Sequence, residues 1–112
     1  MSQVRKNIIE LLHCFASEEQ QLDYERNVPH TNVPEELICM WFNDLYHPED
    51  RLFSSCFTPE ELTALDEFHR FYKERVDRLP DSRSNRIRTW LASPVWREVM
   101  ERAQQTLERI SV

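Results

Sequence analysis

Two residue pairs in this 112-residue chain have the spacing of metal ligands on a helix. Glu10 is followed three positions later by His13, and Asp66 is followed at the same interval by His69. Residues i and i+3 share one side of a helix, and carboxylate–histidine pairs with this spacing hold di-metal centres in helical bundles. A small metal-dependent enzyme is therefore one hypothesis for this chain.

The helical pattern around these pairs opposes a metal centre. At about 100° per residue, Glu10 lies nearly opposite the apolar stripe of its helix, and Asp66 falls among charged neighbours. Ligands of a buried centre must point inward. We therefore interpret both pairs as exposed and predict neither a metal nor a cofactor.

Cysteines suggest a second kind of chemistry, since His47 or His69 could activate Cys39 or Cys56 as a nucleophile. No motif positions such a pair. Cys39 falls in an apolar helix, where a thiol behaves as a small hydrophobic group. Together with Cys14, the chain has three cysteines at wide spacings, so neither a disulfide framework nor a CxxC metal clip is available. Inert, reduced thiols are expected.

Adjacent carboxylates could indicate acid–base hydrolysis, and they occur as Glu35–Glu36, Glu49–Asp50 and Glu60–Glu61. The first and last pairs each follow a proline, in predicted first helical turns where negative charge favours the helix dipole. Helix capping explains these two pairs. The middle pair lies in a predicted loop and has no such structural role.

Arginines cluster near the C-terminal end, where Arg83, Arg86 and Arg88 flank Trp90. This pattern suggests a nucleic-acid-binding regulator as a third hypothesis. Residues 1–81, however, carry 8 basic and 17 acidic residues, whereas residues 82–112 carry 6 arginines and 3 glutamates. An acidic body disfavours the phosphate backbone and suits a basic partner, although acidity also aids solubility. Direct nucleic-acid binding is therefore not predicted.

The chain contains no glycine. A Walker loop, a dinucleotide-binding fingerprint and a nucleophile elbow all depend on glycine, so most nucleotide-dependent enzymes and elbow-type serine hydrolases are excluded. The N-terminal stretch has no apolar run of signal or membrane-spanning length. We expect a cytoplasmic protein with no membrane partner.

Helical spacing of apolar residues predicts an all-α fold, with one compact domain of about five helices over residues 1–112 and no significant sheet. Asp81 or Ser82 can cap a short helix around Trp90. The predicted longer helices span residues 3–16, 17 to about 27, 34 to about 46, 58 to about 78 and 94–110.

The third helix, within "VPEELICMWFNDLYHPED", is apolar on most sides, which is typical of a central core helix. Its broad apolar face contains Leu37, Ile38, Trp41, Phe42 and Leu45. Met40 and Tyr46 fall outside this face. With Asp44, Glu49 and Asp50 around them, they are expected to reach the surface as an adaptable hot spot with an acidic rim.

Three blocks, "VPEELICMWFNDLYHPED", "CFTPEELTALDEFHRFYKERVDRLP" and "WLASPVWREVM", resemble immunity proteins of contact-dependent growth inhibition and related polymorphic toxin systems. The resemblance covers roughly residues 33–100 and consists of helix-start and core patterns. It implies a non-enzymatic protein that binds one cognate toxin domain, often a nuclease. It carries over no catalytic or contact residue.

The sequence therefore predicts a protein-binding inhibitor whose partner is a bacterial toxin domain, with a basic nuclease as the first candidate. No enzymatic activity is expected, and the oligomeric state is left open. The predicted contact residues are Met40, Asp44, Tyr46, Glu49, Asp50, Glu60, Asp66 and Glu67.

Overall fold

The computed structural model describes residues 2–82 and 86–110, and within these ranges every regular element is helical. The all-α prediction is confirmed. In the described part of the chain, five helices have seven residues or more and two are shorter, and a π-helical segment at Met40–Leu45 continues α3 directly. The helices are α1 (Gln3–Ala16), α2 (Glu18–Asn27), α3 (Val33–Cys39), α4 (Arg51–Ser54), α5 (Pro59–Val76), α6 (Ile87–Leu91) and α7 (Pro94–Ile110).

Side-chain caps fix where most of these helices begin. Ser2, Ser17 and Asn32 each accept a hydrogen bond from the backbone N–H three residues ahead, which satisfies one otherwise unpaired amide of the first turn. At α5 the Thr58 hydroxyl accepts from the Glu61 N–H and the Glu61 carboxylate accepts from the Thr58 N–H. This reciprocal capping box confirms the predicted helix start.

The helix ends reflect the missing glycine. No residue in the described ranges has a positive φ angle. Helix α2 ends at Asn27 as predicted, and the residue after it, Val28, has φ of −130° and ψ of 67° rather than a left-handed backbone. A side chain with a Cβ atom avoids the left-handed region that glycine enters at little cost.

The start of α6 is capped from a distant helix. The predicted cap by Asp81 or Ser82 is wrong, since Arg86 holds the N-cap position without a side-chain cap. Instead, the Glu25 carboxylate on α2 accepts from the Ile87 N–H at 2.9 Å and from Arg86 Nε at 3.1 Å. A carboxylate therefore satisfies the first turn of α6 through tertiary structure.

The core is an aromatic cluster between helices, in which α7 packs against both α1 and α5. Phe15 of α1 lies at its centre. Gln21 is fully buried beside this cluster, where its carbonyl oxygen accepts from Trp96 Nε1 at 2.9 Å and its amide donates to the Cys14 and Phe15 carbonyls. The rings in contact with Phe15 are those of Trp41, Phe68, Tyr72 and Trp96.

Candidate protein-binding surface

The π-helical segment shapes the surface on which the predicted contact residues lie. Its last turn is closed by a hydrogen bond from the Tyr46 N–H to the Trp41 carbonyl at 3.1 Å, an i→i+5 bond. Residues five apart in an α-helix lie about 140° apart around the axis, whereas a π turn brings them together. The Tyr46 ring accordingly stacks on the Trp41 ring, with centroids 4.7 Å apart and planes 9° from parallel.

Tyr46 does not reach the surface as expected. The residue is only 6% exposed, because Trp41 covers one side of its ring. The ring also contacts His69 and Phe53, with ring centroids 4.8 Å and 5.6 Å away. Burial raises the pKa of Tyr46 to about 12, and the negative charge of Asp66 raises it in the same direction. The Tyr46 hydroxyl is hydrogen-bonded to the Asp66 carboxylate. The side chain is a buried hydrogen-bond donor.

Two cavities lie side by side between α1 and the π segment. The first has a volume of about 260 Å³ and the second of about 250 Å³, and both are lined by Asn7 and Leu45. We call the continuous surface the α1–π groove. The first cavity is also lined by Glu10, Leu11, Cys14, Tyr24 and Met40, and the second by Val4, Asp44, His47, Asp50, Leu52 and Phe53.

The α1–π groove combines an apolar floor with an acidic rim. Glu10, Asp44 and Asp50 line it and are exposed, and among the lining residues in the described ranges there is no lysine or arginine. Leu52 is 65% exposed at its edge. An exposed apolar side chain beside carboxylates is typical of a surface that binds a basic protein.

Asp50 also has a structural role that the sequence prediction did not assign. Its carboxylate accepts a hydrogen bond from the Leu52 N–H at 2.9 Å and caps α4, a helix that was predicted to be loop. The cap fixes the turn from which Leu52 projects. Asp50 thus positions the exposed leucine as well as contributing charge to the groove.

A third cavity, of about 490 Å³, is lined by Tyr46, Pro48 and one side of α5. Three predicted contact residues line it, Tyr46, Asp66 and Glu67, but the two carboxylates among them are neutralised within the chain. Asp66 pairs with Arg70 at 2.9 Å, and Glu67 pairs with Arg109 of α7 at 2.6 Å. This cavity therefore presents less unpaired negative charge than the α1–π groove.

The structure thus divides the predicted contact residues between two surfaces. Met40, Asp44 and Asp50 line the α1–π groove, whereas Tyr46, Asp66 and Glu67 line the third cavity. Glu49 and Glu60 line neither. Glu49 lies 3.4 Å from His47 Nδ1, and Glu60 is exposed in the first turn of α5.

The side chains of the metal hypothesis do not converge. Glu10 and His13 are exposed on α1, Asp66 pairs with Arg70, and His69 Nδ1 accepts a hydrogen bond from Trp41 Nε1 at 3.2 Å. Over residues 2–82 and 86–110, no group of three or more histidine, cysteine or acidic side chains could hold a metal ion. The predicted i, i+3 pairs lie on separate surfaces.

Cys56 and His47 of the nucleophile hypothesis are each engaged with a backbone carbonyl. Cys56 Sγ donates to the Leu52 carbonyl at 3.1 Å, and His47 Nε2 lies 3.0 Å from the Asn43 carbonyl oxygen. Burial raises the pKa of the Cys14 thiol to about 11. A protonated Cys14 contributes to the groove as an apolar surface.

The arginines of the nucleic-acid hypothesis lie beside α2. Arg86 pairs with Glu25 at 3.1 Å, and both line a cavity of about 400 Å³ with Arg26 and Arg88. Arg86 is therefore paired with a carboxylate of the acidic body. Arg83 lies outside the described residues.

Protonation of His69 should destabilise the fold. Burial, with the charge of Lys73, lowers the pKa of His69 from its usual 6.5, and the bond from Trp41 requires an unprotonated Nδ1. At a pH between the folded-state and unfolded-state pKa values of His69, the unfolded chain binds more protons than the folded chain does. The stabilisation from His69 is therefore complete above about pH 6.5 and is lost as the pH falls through the folded-state pKa.

Urea denaturation between pH 5 and pH 8 measures this effect. The free energy of unfolding of the native protein should fall below about pH 6.5 more steeply than that of His69→Gln. His30→Gln is the matched control, because His30 is exposed. Equal pH slopes for the native protein and His69→Gln would show that the imidazole does not titrate with folding.

Several groove residues were not predicted as contacts. Leu52 was not singled out because "HPEDRLFSSCF" was interpreted as a break between helices, and a short capped helix has too few residues for a periodic signal. Asn7 and Leu45 join the groove only through the packing of α1 on the π segment. The one local signal for the surface was the acid-rich stretch after Tyr46.

No protein-family model, curated protein or solved structure matches this chain. In the part of the chain that the structure describes, none of the helices has both the length and the apolar character needed to span a bilayer.

Proposed function

We propose that this protein is a cytoplasmic, non-enzymatic inhibitor that binds a basic protein through the α1–π groove. The partner is a bacterial toxin domain, with a nuclease as the first candidate. The observation that carries the proposal is the groove itself, in which Asp44, Asp50 and Glu10 surround an apolar floor beside the exposed Leu52.

The charge of the groove supports a nuclease as the partner. A protein that handles RNA or DNA must attract phosphates, so its substrate-binding surface carries lysine and arginine. Complementary charges speed the encounter and orient it, and the apolar floor then slows dissociation once water is excluded. The similarity of three sequence blocks to immunity proteins points to the same class of partner.

The test uses a double substitution that removes charge without changing shape. Asp44→Asn/Asp50→Asn should slow association with the purified partner about tenfold at low ionic strength. Asparagine caps a helix as well as aspartate does, so α4 is preserved. The matched control is Glu101→Gln/Glu108→Gln, which changes the net charge equally on exposed positions of α7.

The neighbouring genes are where the partner should be sought, as the toxic domain of a secreted protein. Co-expression should protect cells from that domain, and the association rate measured by stopped flow should fall steeply with added salt. An association rate that salt does not alter, or equal rates for the two double variants, would contradict the proposed surface. Failure to protect would contradict the proposed inhibition.

A further inference from the structure

The spacing of the two cavities in the α1–π groove defines what shape can fill it. On α1 the first cavity is lined from Asn7 to Cys14 and the second from Val4 to Asn7. The midpoints of these two stretches are about five residues apart, or roughly 7.5 Å at 1.5 Å per residue. Two side chains from one partner segment could therefore enter both cavities if they projected about 7.5 Å apart.

Two side chains on one face of a helix come close to this spacing. Residues i and i+4 lie on one face and are separated by about 6 Å along the axis. The groove runs between two helical elements, and a third helix packs naturally over such a seam. The stretch from Val4 to Cys14 is about 15 Å long, which matches nearly three turns of a partner helix.

Acidic side chains occupy both walls of the groove. Glu10 lies on the α1 wall, whereas Asp44 and Asp50 lie on the opposite wall formed by the π segment and the start of α4. A helix in the groove would therefore have carboxylates on both flanks. Lysine or arginine on either side of its apolar stripe would complement them.

We propose that the α1–π groove holds a basic amphipathic helix of the partner, with two apolar anchors at positions i and i+4 and lysine or arginine on both flanks. This inference rests on the proposed function and specifies the element of the toxin domain that docks. Leu11 and Leu45 provide the floor for the anchors, and Leu52 covers the helix at one end.

The experiment uses two synthetic helical peptides of identical composition, built from lysine and alanine with two leucines. One has leucines at i and i+4, and the other has them at i and i+2, on different faces. Fluorescence anisotropy with the full chain should give about tenfold tighter binding for the i, i+4 peptide, since only it can bury both leucines. Amide resonances of Asn7, Leu45 and Leu52 should shift in NMR spectra.

Two double variants test whether the peptide binds in the α1–π groove. Asp44→Asn/Asp50→Asn should weaken binding of the i, i+4 peptide, and Glu101→Gln/Glu108→Gln should not. Equal affinity for both peptides, no binding, or shifts spread over the whole acidic surface would overturn the helix inference. If the toxin domain still binds with the predicted dependence on Asp44 and Asp50, the proposed function stands without it.

Discussion

Replacement of Trp41 by alanine is expected to lower the free energy of unfolding by about 3–5 kcal/mol, the usual cost of truncating a buried tryptophan. Trp41 is fully buried at the junction of the core and the π segment. Its ring stacks on Tyr46 with centroids 4.7 Å apart and meets the edge of Phe68 at 4.9 Å. Alanine would leave a cavity and remove the surface on which the Tyr46 ring is fixed.

Urea denaturation monitored by circular dichroism measures this loss. Trp41→Phe is the informative control, because it keeps an aromatic ring but removes the indole N–H that donates to His69. It should cost less, about 1–3 kcal/mol, and should abolish the hydrogen bond that requires an unprotonated His69 Nδ1. A loss below about 1 kcal/mol for Trp41→Ala would contradict the packing described for the π segment.

The helix starts could be predicted from the sequence because their signals are local. Thr58, Pro59 and Glu61 lie within four residues, and their capping box marks the start of α5 where the sequence predicts it. The start of α6 could not be predicted, because its cap is Glu25, 62 positions before Ile87. Tertiary structure decides such contacts, and a single sequence does not show them.

The π turn explains the incorrect prediction for Tyr46. A helical wheel of constant angle places Tyr46 outside the apolar face that contains Trp41. The i→i+5 hydrogen bond changes the angle locally and turns Tyr46 back over Trp41. A wheel projection fails at this position because it assumes one backbone geometry throughout the helix.

The sequence shows that this surface is acidic, but it does not show which acidic side chains lie together. Met40, Asp44 and Asp50 do share one groove, because they lie within ten residues of one another around the π segment. Glu67 was predicted to contact a partner, but Arg109 of α7 neutralises its charge. A residue's charge is visible in sequence, whereas its pairing depends on packing between distant helices.

The second large effect is expected at Arg5, which ties three parts of the fold together. Its guanidinium donates to both carboxylate oxygens of Glu61 at 2.8 Å and to the carbonyls of Cys56 and Ile110. The side chains of Arg5 and Glu61 are only 20% and 9% exposed. The hydrogen bonds from Arg5 lower the pKa of Glu61 despite its burial.

Arg5→Met should lower the free energy of unfolding by about 2–4 kcal/mol at pH 7, because it leaves a buried carboxylate without its cation. The folded-state pKa of Glu61 lies below its ordinary 4.5, so the stability from this pair is complete above about pH 4.5 and is lost as the pH falls through the lowered pKa. The difference between the native protein and Arg5→Met should therefore shrink in acid.

A double variant separates the contribution of the ion pair to stability from the contribution of packing. Arg5→Met/Glu61→Gln removes both charges and keeps the volumes similar, so it should be more stable than Arg5→Met alone at pH 7. Glutamine can still accept from the Thr58 N–H and preserve the start of α5. If the double variant is less stable than Arg5→Met by the full cost of a second substitution, the stabilisation comes from the aliphatic stem of Arg5 rather than from its charge.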